Sequence, residues 1–284
     1  MEDKKIVQQI EALCKFSYVM EDDRCVSLSF HDNEATFGGT IRRHPMKAEI
    51  VRLAATLPNL RSLDLRKCKT GNLPDIASRS LTHLDLSSND LSVVPDWVTN
   101  QPLQFLSLGA NNIQDVPDLS GLPLETLKLH KNRIAAMPPV GKGIKSLNLF
   151  LNPMQDIPAS VFGLSRLEVF TFGVNNTRSV PNLASLQCLR WLTITVTQAE
   201  SLPDDICSLK RLEGLQLAKN RLKRLPDKIG ELSNLKALTV YGNDIETIPE
   251  SFFDLRLARL NVAGNPLVDR RKLEAFSGID FFRM

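Results

Sequence analysis

The chain has 284 residues, 43% of them apolar and 24% charged, with a formal net charge of +3. That apolar content is enough for a substantial core and excludes an intrinsically disordered chain, while so mild a charge does not argue for nucleic acid or an anionic membrane as the partner. No apolar run reaches the ~20 residues needed to cross a bilayer, and the N-terminal segment lacks the apolar centre of a signal peptide, so the chain is expected in the cytoplasm. Five cysteines, Cys14, Cys25, Cys68, Cys188 and Cys207, agree with that placement. Their odd number and wide scatter are unlike a secreted disulfide framework, and each reads as a small buried hydrophobe.

In chain order, residues 4–16 carry Ile6, Val7, Ile10, Leu13 and Cys14 at helical spacing. A strand near 25–30 follows, where Cys25, Leu28, Phe30, Asn33 and Ala35 fit a degenerate copy of the pattern described next. An insertion then leads through a second helical stretch, Met46 to Leu57, with Ile50, Leu53, Ala54 and Leu57 on one side. Both helices read as caps for the apolar end of an elongated core.

From residue 59 the chain repeats itself. The pattern Leu-x-x-Leu-x-Leu-x-x-Asn-x-Leu starts at Leu60, Leu81, Leu103, Leu124, Ile144, Leu167, Leu189, Leu212, Leu235 and Leu257, at intervals of 20 to 23 residues. In each copy the fourth and sixth positions alternate inward on a short strand, and successive strands stack in parallel. The chain must then turn off the strand, leaving backbone donors and acceptors inside that need a polar partner. The ninth position supplies it: Asn89, Asn111, Asn132, Asn152, Asn175, Asn220, Asn243 and Asn265, with Cys68 and Thr197 in the two remaining copies. A proline follows in nine copies, from Pro74 to Pro249, and runs such as Pro203-Ile206-Leu209 predict short 3₁₀ or one-turn helical segments on the opposite side. After Leu267 the chain ends in a segment read as a C-terminal cap, with Phe281 and Phe282 as an alternative docking motif.

These residues resemble the LPxxIxxLxxLxxLxLxxN repeats of intracellular Ras-suppressor-type leucine-rich-repeat proteins and related bacterial proteins. The resemblance covers about residues 59 to 267. It implies an α/β fold: a horseshoe-shaped leucine-rich-repeat solenoid with a parallel concave β-sheet and a helical or 3₁₀ convex side. The expected division is 1–58 for the N-terminal cap with the degenerate repeat, 59–267 for ten repeats and 268–284 for the C-terminal cap. The resemblance also implies a protein-interaction scaffold. Larger relatives carry an attached GTPase, kinase or ubiquitin-ligase domain, and no segment here fits one.

The sequence offers no catalytic constellation. Gly141-Lys142-Gly143-Ile144-Lys145-Ser146 lacks phosphate-loop spacing, and Ile144 belongs to a repeat. His31, His44, His83 and His130 form no metal-ligand motif, and His83 and His130 lie two strands apart, ~10 Å, too wide for a compact site. The basic groups Arg61, Arg66, Lys67 and Arg270, Arg271, Lys272 sit at opposite ends rather than along one track. No enzyme, metal, cofactor, nucleic acid or membrane reading is therefore carried forward, and a monomer is expected.

Strand alternation sends the third, fifth and seventh positions to the concave face. Most are polar or small, but Phe105, Phe150, Val169 and Trp191 are large and apolar, and Leu151, Val174 and Val196 align at the eighth position of three successive copies. His130 and Tyr241 extend the group as a hydrogen-bonding rim. An apolar cluster ringed by polar residues is the expected docking site for a protein partner, with Trp191 at its centre. The alternative for these residues is cover by an insertion or by self-contacts. For the chain as a whole, the alternative is a regulatory or substrate-receptor subunit of a signalling enzyme: a GTPase, a phosphatase or a ubiquitin ligase.

Overall fold

The computed structural model describes residues 2–12, 17–30, 35–37, 40–42, 48–69, 73–174, 177–268, 273 and 280–281. Leu13, Cys14, His31, Asn33, His44, Met46, Asn175, Arg270, Arg271, Lys272, Phe276 and Phe282 lie outside them. The chain divides into two compact units, Met1–Gly143 and Ile144–Met284.

The first unit opens with helix α1 (Glu2–Glu11), which buries Val7 and Ile10. Its Asp3 is also buried and accepts a hydrogen bond from the Cys25 backbone N–H at 2.9 Å, tying the helix to the first strands. Strands β1 (Ser17–Glu21) and β2 (Arg24–Ser29) form an antiparallel hairpin. The sequence pattern gave no sign of β1, whose side chains are mostly exposed. A second hairpin, β3 (Ala35–Phe37) and β4 (Thr40–Arg42), precedes helix α2 (Ala48–Ala55).

Strands β5 (Ser62–Asp64), β6 (His83–Asp85), β7 (Phe105–Ser107) and β8 (Thr126–Lys128) then pair in parallel order beyond β2. Leu28, Leu63, Leu84, Leu106 and Leu127 stand opposite one another in register and are fully buried. Equal repeat lengths cause this, because each turn of chain returns the same leucine to the same height.

The second unit continues the design with β9 (Ser146–Asn148), β10 (Val169–Gly173), β11 (Trp191–Thr195), β12 (Gly214–Gln216), β13 (Ala237–Thr239), β14 (Arg259–Asn261) and β15 (Asp280–Phe281), all parallel. β15 carries the tail past the last repeat, placing Phe281 in register with Leu260. Away from the strands, 3₁₀ turns cover 96–100 in the first unit and 159–163, 204–208, 229–231 and 250–254 in the second. Four of the five have proline as the residue before the first turn, extended at φ near −60 to −69°. Their apolar residues, among them Trp97, Val161, Ile206 and Phe252, close the core from behind.

The asparagine ladder holds the corners. Asn111 donates from Nδ2 to the carbonyls of Leu86 (3.0 Å) and Leu108 (2.9 Å), and its Oδ1 accepts from the backbone N–H of Asn89 and Leu91, both at 3.0 Å. One amide thus satisfies four backbone groups in two repeats. Asn89, Asn132, Asn220, Asn243 and Asn265 donate in the same way to their own repeat and the preceding one. Asn152 donates to Leu149. Where threonine replaces asparagine, Thr197 Oγ1 donates to Asn220 Oδ1 at 2.8 Å and accepts from the Ala199 N–H at 3.2 Å. Cys68, where cysteine fills the position, donates to the Arg66 carbonyl through a weakly donating thiol at 3.4 Å.

Candidate functional site

The outward sheet face of the second unit is built from strand register. Along one row run Ser146, Val169, Trp191, Gly214 and Ala237, each paired with the next. The small residues flank the two large ones. The indole of Trp191 lies over Gly214, where a Cβ would overlap its six-membered ring. Glycine at 214 therefore leaves room for the ring against the neighbouring strand and is itself buried. Trp191 still leaves 41% of its surface exposed. The next row is polar: Asn148, Thr171, Thr193, Gln216 and Thr239, with Thr193 Oγ1 donating to Gln216 Oε1 at 3.4 Å. The last row of the face carries half-buried Phe150 and exposed Tyr241, with Lys219 Nζ 6.0 Å from the Tyr241 ring centre. Phe150 is held by its backbone N–H, which donates to Asn148 Oδ1 at 3.1 Å.

The eighth positions form the corner of each repeat, and all ten have positive φ: Lys67, Ser88, Ala110, Lys131, Leu151, Val174, Val196, Lys219, Gly242 and Gly264. In the second unit the corner N–H still donates to the next strand's end, as Val174 does to Thr195 and Val196 to Ala218, both at 3.0 Å. One left-handed residue then swings the chain so that the ninth side chain points inward. Sequence reasoning missed this requirement; its one signal was the glycine at 242 and 264. Leu151, Val174 and Val196 have φ of 57°, 61° and 56°, a conformation uncommon for any residue with a Cβ and an outlier for a β-branched one.

The first unit arranges its face differently. Arg66 is clamped by Asp64, Nη2 to Oδ2 at 2.7 Å, and lies 3.4 Å from Asp85. Asp85 also accepts from the N–H and hydroxyl of Ser87 at 2.9 and 2.6 Å. The strand pattern assigns Asp85 outward; it is instead buried, because these bonds fold the carboxylate into its neighbours. Phe105 is half-buried and stacks on His83 with ring centres 3.9 Å apart, and Lys128 stands 5.1 Å over its ring. His130 lies over Gly109, and its Nδ1 is buried with no hydrogen-bond partner among the described residues. Burial lowers the pKa of both His83 and His130. The predicted cluster thus falls into two sets: Phe105 and His130 belong to the first unit, and Phe150, Leu151, Val169, Val174, Trp191, Val196 and Tyr241 to the second.

Among the described residues no group of three or more His, Cys, Asp or Glu side chains is arranged to hold a metal ion, and no helix is long and apolar enough to cross a membrane. Burial pushes the Cys25 and Cys207 thiols up to about 11, the wrong direction for nucleophiles.

Residues 143–263 match a family model described as a leucine-rich-repeat region, and 77–93 match a leucine-rich-repeat model. No curated protein sequence matches the chain significantly. Among solved structures, a leucine-rich-repeat protein of Leptospira interrogans is 24% identical, with 82% of this chain and 74% of that one covered and a TM-score of 0.62. YopM from Yersinia enterocolitica is 27% identical over 70% of this chain and 42% of its own, with a TM-score of 0.58. The leucine-rich-repeat ectodomain of a plant membrane receptor kinase from Arabidopsis thaliana, solved in complex with Casparian strip integrity factor 2, is 22% identical. That match covers 88% of this chain and 29% of the ectodomain, with a TM-score of 0.57.

Proposed function

Because this chain is a leucine-rich-repeat protein, we propose that it acts as a non-catalytic scaffold that docks a protein partner on the outward sheet face of its second unit. The observation that carries this reading is Trp191: a large aromatic side chain lying over Gly214, two-fifths exposed, beside Val169 and a row rich in threonine. A pre-seated aromatic anchor loses little rotamer entropy on binding, and such anchors with a polar surround dominate interface energies. The Arabidopsis ectodomain, similar in fold, was solved in complex with Casparian strip integrity factor 2. Among the described residues Cys25, Cys188 and Cys207 are free thiols, and a reducing compartment such as the cytoplasm is the location proposed for the chain.

The test is affinity capture with the intact chain and with its Trp191→Ala/Phe150→Ala variant, partners being identified by mass spectrometry and folding checked by thermal melting. A partner held by the wild type and lost by the folded variant supports the reading. Undiminished capture by the variant contradicts it.

A further inference from the structure

Beside that sheet face, the corners following β10, β11, β12 and β13 enclose an open groove of about 520 Å³ lined by Val174, Val196, Thr197, Lys219, Arg221 and Gly242, together with Gln198 and Asn220. Two independent features mark it. The first is conformational: Val174 and Val196 hold left-handed backbone angles, where the equivalent Gly242 and Gly264 do the same without a side chain to strain. A β-branched residue is an outlier there, and with Val196 40% exposed its own burial does not offset the strain. The second is electrostatic. Lys219 and Arg221 make no ion pair among the described residues: Glu200, the carboxylate that feels the Arg221 charge, is paired with Lys223 at 3.0 Å, and Lys219 stands 6.0 Å from the Tyr241 ring centre. The groove therefore pairs exposed Val196 and half-buried Val174 with two cations that hold no salt bridge among the described residues.

We propose that this groove receives an acidic segment of the partner protein, with one aliphatic side chain resting on Val174 and Val196 and flanking carboxylates meeting Lys219 and Arg221. The proposal rests on the docking reading and adds the chemistry of what docks. Charge complementarity selects the carboxylates, and the valine pair selects against a purely polar polyanion.

The experiment measures fluorescence anisotropy of a labelled peptide, one isoleucine flanked by glutamates, against the full chain. Comparison probes replace the glutamates by glutamines, replace the isoleucine by glycine, or are a single-stranded RNA of equal charge. Saturable binding of the acidic peptide is expected, weakened about tenfold by either peptide change and by Val174→Gly/Val196→Gly, and lost in Lys219→Glu/Arg221→Glu. The glycine variant suits a left-handed corner and keeps the chain folded. No saturable binding, equal binding of the glutamine peptide, or equal binding of the RNA overturns the proposal. In partner capture, retention by Lys219→Glu/Arg221→Glu with loss by Trp191→Ala/Phe150→Ala overturns the groove and leaves the sheet-face reading standing; retention by both variants overturns both.

Discussion

The two units share one backbone plan and differ in what they leave open. On the first, Arg66, Asp64, Asp85 and Ser87 satisfy one another, and Phe105 is covered by His83 and Lys128. On the second, Trp191, Val196 and Tyr241 remain exposed on or beside the sheet face. Repeats fix the leucines, the corner and the ladder, so a face acquires its character only from the few positions the architecture does not use. The fold specifies a platform, and the side chains on it specify a site.

That contrast can be broken or sharpened at several levels. The scaffold should be equally demanding in both units: Asn111→Ala and Asn220→Ala each strand several buried backbone groups and should cost about 3 kcal/mol or more. Denaturant melts would show it, and tolerance of either change would mean the ladder is redundant there. Next in size, Trp191→Ala/Phe150→Ala should weaken partner binding by about 2 kcal/mol or more, a hot-spot loss, while His83→Ala/Phe105→Ala leaves it within about twofold. Equal losses from the two pairs, read by titration calorimetry, would erase the distinction between the faces.

A smaller effect should follow from the glycine seats. Gly214→Ala lifts the Trp191 indole and Gly109→Ala lifts the His130 ring, each at about 1 kcal/mol of stability. Gly214→Ala should alter Trp191 emission and acrylamide quenching; Gly109→Ala should leave the emission of both Trp97, which is buried, and Trp191 unchanged.

The smallest effect is pH dependence confined to one unit. His83 and His130 have pKa values below 6.5 when folded, so as pH falls below 6.5 the unfolded chain takes up protons first and stability declines until the folded pKa values are passed. The second unit contains no histidine. Thermal melts between pH 7.5 and 5.5, followed separately through Trp97 and Trp191, should show the histidine-linked loss in the first unit only.

Much of the fold was legible because it repeats. A leucine at fixed spacing announces its register, and Leu84, Leu106 and Leu127 do stand opposite one another. An asparagine at the ninth position announces a corner with backbone groups to satisfy, and Asn111 does so four times. What escaped was set by neighbours rather than by period. The left-handed corner showed only where glycine happened to fill it. Strand β1 pairs once, antiparallel, outside any repeat. Asp85 alternates outward yet is buried by Arg66 and Ser87. Gly214 read as one more small residue, although it is what seats Trp191.

The central claim is that the second unit's sheet face, and not the first's, meets the partner. A photo-crosslinking amino acid placed at Gln216, exposed in the polar row beside Trp191, and separately at Thr126, half-exposed on the first unit's face, tests it directly. The account predicts a discrete protein adduct from position 216, abolished by Trp191→Ala, and none from position 126. An adduct from 126 with none from 216 would contradict it.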